Sequence, residues 1–417
     1  MNLSWIPSTE QSDRRGRSFR RDKVEFCECF VSKFRQRYLP VIATFLLIIS
    51  STLTFSRVPE SPGQVRPGER PFYLLVVGDS VMWGEGLQTE HKIWYRVKNW
   101  ITENSGRTVI ERVEAHSGAV IEDNDTTGVA AVADGEVSLG SPTISSQVDA
   151  ALRFYNDGSK VDLVLVNGCA NDIEAQNLLN PSITTAEIRR MTETKCGAPV
   201  ERLLRKITSS FPNADVIITG YYPFFSEKTR DDVFMKAMAR RFAKGDPDAP
   251  RTDSRSSLER LTANSKEWYE ASNKSIADAV AKVNISLDSG GSNPRVVFAE
   301  IHFLPEHSYG ARETQLWGLD HSRFKRLLVF GSLGKVQLET NDERRKERSV
   351  ICDELYKRQA NETSDEERDR KKQRLTCRYA ALGHPNQDGA QLYAEAIISQ
   401  LKSVISESGW LRKVPAH

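Results

Sequence analysis

Four short blocks of the sequence carry side chains that could divide the work of nucleophilic catalysis. Val77-Gly78-Asp79-Ser80 closes an apolar run. A serine at the carboxyl end of a buried strand can present its hydroxyl at the mouth of a site. Ala115-His116-Ser117-Gly118-Ala119 supplies a glycine, whose backbone N–H can approach a substrate closely. Gly168-Cys169-Ala170-Asn171-Asp172 follows the run LVLVN, and an asparagine amide there can donate to a developing oxyanion. Gly383-His384-Pro385-Asn386 leads into a helical pattern. A neutral imidazole can take a serine proton and return it to a leaving group. Each block taken alone is explained equally well by a turn, a helix cap or a loop histidine. Their joint order, Ser, Gly, Asn, His, is what points to chemistry.

The elements that must position these blocks follow from hydrophobic patterning. Apolar, β-branched runs occur at 72–77, 108–113, 161–166, 214–219 and 295–301. Several are continuous rather than alternating, as expected for strands covered on both faces. Helical patterns lie at 92–102, 144–154, 186–209, 257–283 and 388–405. In the last of these Leu392, Ala396, Ile397, Leu401, Val404 and Ile405 recur at helical spacing. Strand alternating with helix predicts an α/β domain with a parallel sheet and helices on both faces, spanning 72–405. Two polar, charge-rich stretches, near 225–260 and 339–375, read as insertions, and 406–417 as a C-terminal tail.

Taken together, the four blocks resemble the SGNH hydrolases, the GDSL-like lipase/esterase family. Ile218-Thr219-Gly220-Tyr221-Tyr222-Pro223 also looks like sequence of that family. The resemblance implies a flavodoxin-like three-layer α/β/α sandwich with a five-stranded parallel sheet. It implies acyl-ester hydrolysis through an acyl-serine, with Ser80 as nucleophile and His384 as base and then acid. The oxyanion hole would be the N–H groups of Ser80 and Gly118 and the side-chain amide of Asn171. The family's pattern places an Asp three residues before the His, where this chain has Ala381. Asp320, in WGLDH, and Asp388, just after the His, are the alternatives for the orienting acid. Trp83, Tyr221 and Tyr222 are read as lining a substrate pocket. An O-acyltransferase on the same fold, or an inactive binding or scaffold protein, are the other readings.

Composition sets the frame. The chain has 417 residues, with 58 basic and 56 acidic side chains and a net charge of +2. So even a balance gives no global field for nucleic acid. The expected partner is a small lipid or carbohydrate ester, with no cofactor, no metal and no obligate protein partner. The N-terminus differs. Arg14, Arg15, Arg17, Arg20, Arg21, Lys23, Lys33, Arg35 and Arg37 precede an uncharged apolar run at 38–55. That run approaches the ~17–25 residues of a membrane helix. The basic flank places 1–37 in the cytoplasm and the rest outside. A single-pass transmembrane signal anchor is expected, with a cleaved secretory signal as the alternative. A Pro- and Gly-rich linker follows at 56–71. Cys169, Cys196, Cys352 and Cys377 follow the run and would meet an oxidising compartment. They allow three pairings, of which Cys169–Cys196 with Cys352–Cys377 is the simplest. Four free thiols are the alternative.

Overall fold

The computed structural model describes residues 70–122, 143–230, 254–287, 295–318, 350–354, 356–358, 360 and 362–408. The expected cytoplasmic tail, anchor and most of the linker lie outside these residues, as do most of the first insertion (231–253) and residues 339–349 of the second. No helix among the described residues is long and apolar enough to cross a membrane.

Five strands form the sheet: β1 (Phe72–Val77), β2 (Val109–Val113), β3 (Leu163–Val166), β4 (Asp215–Thr219) and β5 (Val296–Ala299). All neighbours are parallel and the order is β2-β1-β3-β4-β5. The three central strands are buried almost throughout, while the edges β2 and β5 are more exposed. This is why the central runs read as continuous apolar sequence.

The longer helices are α2 (Ile93–Ser105), α3 (Ile144–Tyr155), α4 (Thr185–Ser210), α5 (Ser254–Leu287), α6 (Ser364–Ala380) and α7 (Gln387–Ser408); α1 (Ser80–Trp83) is a single turn. α4 begins at a capping box in which Thr184 and Glu187 exchange side-chain and backbone hydrogen bonds. α3, α4 and α5 pack in sequence, with α3 against β1 and α5 against β5. α2 packs with α7, which also meets β4 and β5. These two groups of helices and the sheet between them make the α/β/α layers.

Two stretches read as insertions contain regular structure. Residues 254–260 are the first turns of α5, and 364–375 belong to α6. α6 is a solvated charged helix, with Glu367–Lys371 and Asp365–Arg368 ion pairs along its surface. Two disulfides are present, Cys169–Cys196 and Cys352–Cys377, with Cα separations of 5.2 and 5.9 Å. The second ties α6 to the short helical segment at 350–354.

The sheet order reverses direction between β1 and β3. One connection from β1 leads outward to β2, and the chain then returns to β3 on the other side. Such a switch point opens a crevice at the carboxyl ends of the two strands. Ser80 follows β1 and Asn171 follows β3, so both lie at that crevice.

Candidate active site

The turn that carries Ser80 is fixed from three sides. Gly78 has φ +144°, and a Cβ there would sit 2.1 Å from Asn167 Oδ1. Only glycine gives both that backbone and that space. Gln147, on α3, accepts from the Gly78 N–H at 2.8 Å and donates to the Gly78 carbonyl at 3.0 Å. Asp79 is the N-cap of α1, accepting from the Val81 N–H at 2.9 Å. Its own N–H donates to Asn167 Oδ1 at 3.0 Å, and Asn167 Nδ2 donates back to Asp79 Oδ1 at 2.6 Å. Tyr221 Oη donates to the other carboxyl oxygen at 2.6 Å. Burial pushes the Asp79 carboxyl above its ordinary value, and the Tyr221, Val81 and Asn167 bonds pull against that.

His384 reaches Ser80 from the opposite end of the chain. Its Nε2 lies 2.7 Å from Ser80 Oγ, within reach for proton transfer. The loop bearing it is held by backbone. Trp317 N–H donates to His384 O at 2.8 Å, and Gly383 N–H donates to Trp317 O at 2.9 Å. Tyr222 Oη donates to Gly383 O at 2.7 Å.

The Gly118 and Asn171 blocks are joined directly. Gly118 sits in a turn with φ +80°, and the Ala119 N–H closes that turn on His116 O. Asn171 Nδ2 donates to Ala119 O at 2.9 Å. That amide carries two hydrogens, so one bond secures the loop and the other hydrogen remains for a ligand. Asp172 accepts from the Ile121 N–H at 3.0 and 3.3 Å. Burial pushes its carboxyl up to about 7, with the Ile121 bond opposing and Asp79 adding to the rise. Behind this loop Cys169 takes φ +133°, a backbone region L-residues rarely adopt, and is disulfide-bonded to Cys196 of α4.

The structure therefore brings Ser80 and His384 into contact, fixes Asp79 within the same turn, and ties the Gly118 turn to Asn171. It corrects the reading of two pocket residues. Tyr221 and Tyr222 are 3% and 8% exposed, and their hydroxyls are spent on Asp79 and Gly383 rather than on a pocket surface. Trp83, one turn beyond Ser80, keeps partial exposure, with the Lys92 ammonium 3.5 Å over its ring. Asp388 is exposed in the first turn of α7, its N–H donating to Asn386 Oδ1 at 3.0 Å. Asp320 lies outside the described residues.

Sequence reading missed Gln147 and Asn167. Gln147 had a signal. It falls on the apolar stripe of α3 with Ile144, Val148, Ala151 and Tyr155, all buried, and a polar residue on such a stripe needs a buried partner. Asn167 closes the run LVLVN, and nothing in its type told the cap of Asp79 from an ordinary turn.

No family model matches the chain, and no curated protein matches it. Among solved structures, an extracellular lipase from Streptomyces rimosus aligns at 16% identity and TM-score 0.36, over 59% of this chain and 87% of that one. Phospholipase A1 from Streptomyces albidoflavus NA297 aligns at 12% identity and TM-score 0.38, over 60% and 89%. A family 3 carbohydrate esterase from Clostridium thermocellum aligns at 16% identity and TM-score 0.30, over 56% and 82%.

Proposed function

We propose that the chain is a serine esterase that cleaves carboxylic esters of lipids or O-acylated carbohydrates through an acyl-Ser80 intermediate. The observation that carries this reading is the 2.7 Å contact between His384 Nε2 and Ser80 Oγ at the switch point of the sheet. Ser80 Oγ attacks the ester carbonyl carbon as His384 Nε2 takes its proton. The carbonyl π electrons move onto oxygen, and that oxyanion accepts from the N–H groups of Ser80 and Gly118 and from Asn171 Nδ2. The intermediate collapses, the C–O bond to the alcohol breaks, and the leaving alcohol receives the proton from His384. Water then attacks the acyl-serine, giving its proton to His384. The carboxylic acid departs and Ser80 regains its hydrogen.

Asp320 is the group we assign to orient the imidazole. Trp317 brackets Gly383 and His384 through two backbone hydrogen bonds. Asp320 follows three residues later, and three residues of chain reach at most ~10 Å.

The enzyme works outside the cytoplasm, tethered by the apolar run at 38–55. Two observations support this: the basic flank on the N-terminal side of that run, and disulfides formed by all four cysteines that follow it. The decisive experiment for the chemistry is labelling of residues 57–417 with a fluorophosphonate. The wild type should label and Ser80→Ala should not; an unlabelled wild type removes Ser80 as nucleophile. For topology, protease added to intact cells should degrade the domain, and full protection would reverse the orientation.

A further inference from the structure

Tyr221 and Tyr222 follow β4 after Gly220, and their hydroxyls go to different parts of the site. Tyr221 Oη donates to Asp79 Oδ2 at 2.6 Å, on the Ser80 turn. The same oxygen accepts from the Ala170 N–H at 3.3 Å, in the loop that carries Asn171. Tyr222 Oη donates to Gly383 O at 2.7 Å, one residue before His384. Neighbouring side chains on extended backbone point to opposite sides, so two consecutive residues can serve two separate partners.

Both rings are fixed from behind. The Tyr221 N–H donates to Asn273 Oδ1 at 3.0 Å, and its ring lies 5.3 Å from that of Trp268, also on α5. Tyr222 stacks on Phe303 at 5.0 Å and meets Tyr393 of α7 edge-on at 6.3 Å. Burial holds both phenols above their ordinary values, with the Asp79 charge adding to the rise. They therefore stay protonated and act as donors.

We infer that Tyr221 and Tyr222 form a positioning pair that sets the Ser80 turn, the Asn171 loop and the His384 loop in register with the end of β4. The pair touches no reacting atom. It acts through Asp79, Ala170 and Gly383. The catalytic part of this inference rests on the esterase reading above.

The test uses Tyr221→Phe and Tyr222→Phe, which keep the rings and remove only the hydroxyls. Each should lower kcat about tenfold, with KM within about twofold, because a lost hydrogen bond of this kind misplaces groups without changing the substrate surface. Tyr221→Phe should also raise the pH at which the Asp79 carboxyl titrates in carbon NMR and speed hydrogen exchange at the Ala170 amide. Tyr222→Phe should change neither. Wild-type kcat in both variants overturns the inference, as does unchanged Asp79 titration and Ala170 exchange in Tyr221→Phe. If a Phe variant fails to fold, fluorotyrosine at the same position decides. It keeps ring and hydroxyl but donates more strongly, so at 221 it should lower the Asp79 titration, and no movement there counts against the pair. A wild type that neither labels with fluorophosphonate nor cleaves esters defeats the esterase reading instead. The NMR and exchange readouts on Tyr221→Phe still report whether the clamp exists.

Discussion

His384 Nε2 stands 2.7 Å from Ser80 Oγ although 304 positions separate them in the chain. Each side of that contact is secured without the other. The Ser80 turn is held by Gln147 and Asn167. The His384 loop is held by Trp317 and Tyr222. Two independently fixed loops that meet at hydrogen-bond distance bring reacting groups together before substrate arrives, which is where much of an enzyme's advantage over solution chemistry originates.

Because Ser80 and His384 act on one proton, they should fail as a unit. Ser80→Ala and His384→Ala are each expected to lower kcat for an activated ester by about 10⁴–10⁶-fold, and the double variant should be no worse than the poorer single one. Losses that multiply in the double variant would show that the two residues contribute separately.

Asn171→Ala should reduce kcat by about 10²–10³-fold with a much smaller change in KM, the signature of a donor used chiefly in the transition state. The variant also loses the bond to Ala119 O, so the Gly118 turn loosens and the effect should fall at the upper end. A loss confined to KM would place Asn171 in ground-state binding.

Asp320 and Asp388 should separate cleanly. Asp320→Asn is expected to lower kcat by up to about 10⁴-fold, the effect of removing an acid that orients the imidazole. Asp388 occupies the first turn of α7 and is exposed. Its carboxylate favours the helix N-terminus by ~0.3–1 kcal/mol. Asp388→Asn should therefore cost a small amount of stability and leave kcat near wild type. The reverse pattern would exchange the two assignments.

The sheet was legible because β1, β3 and β4 are buried on both faces, and burial of that kind writes itself as unbroken Val, Leu and Ile. Every predicted strand has its counterpart within about two residues at each end. The Ser80–His384 pairing was legible only through the joint order of four blocks; no local property of either residue contains it. What stayed hidden was direction. An aromatic residue after a strand can face a pocket or the interior, and composition does not say which. Tyr221 and Tyr222 face inward because Asp79 and Gly383 O need buried donors there, a demand created by tertiary contacts. Helical content in the charged stretch at 364–380 was missed for a different reason. α6 lacks an apolar stripe and is secured by surface ion pairs and the Cys352–Cys377 bridge, so the usual periodic signal is absent.

Asp172 should make stability depend on pH. Its carboxyl moves from an ordinary 3.8 to about 7 in the folded protein, chiefly through burial. The folded state thus holds this proton more tightly than the unfolded one. The contribution is fully present below pH 3.8, declines as pH rises through the window from 3.8 to about 7, and is gone above it. Asp172→Asn removes the titration while leaving an Oδ1 that can still accept from the Ile121 N–H. The substitution is therefore a clean probe of charge. Between roughly pH 5 and pH 8 the wild type should lose on the order of 2–3 kcal/mol more than the variant. Urea unfolding midpoints at several pH values measure this directly. Groups that do not interact with Asp172 are common to both proteins and cancel in the difference, whereas the Asp79 charge, which adds to the rise at Asp172, remains part of what the comparison reads. Parallel midpoint curves for wild type and variant would mean that Asp172 ionises alike in the folded and unfolded chain.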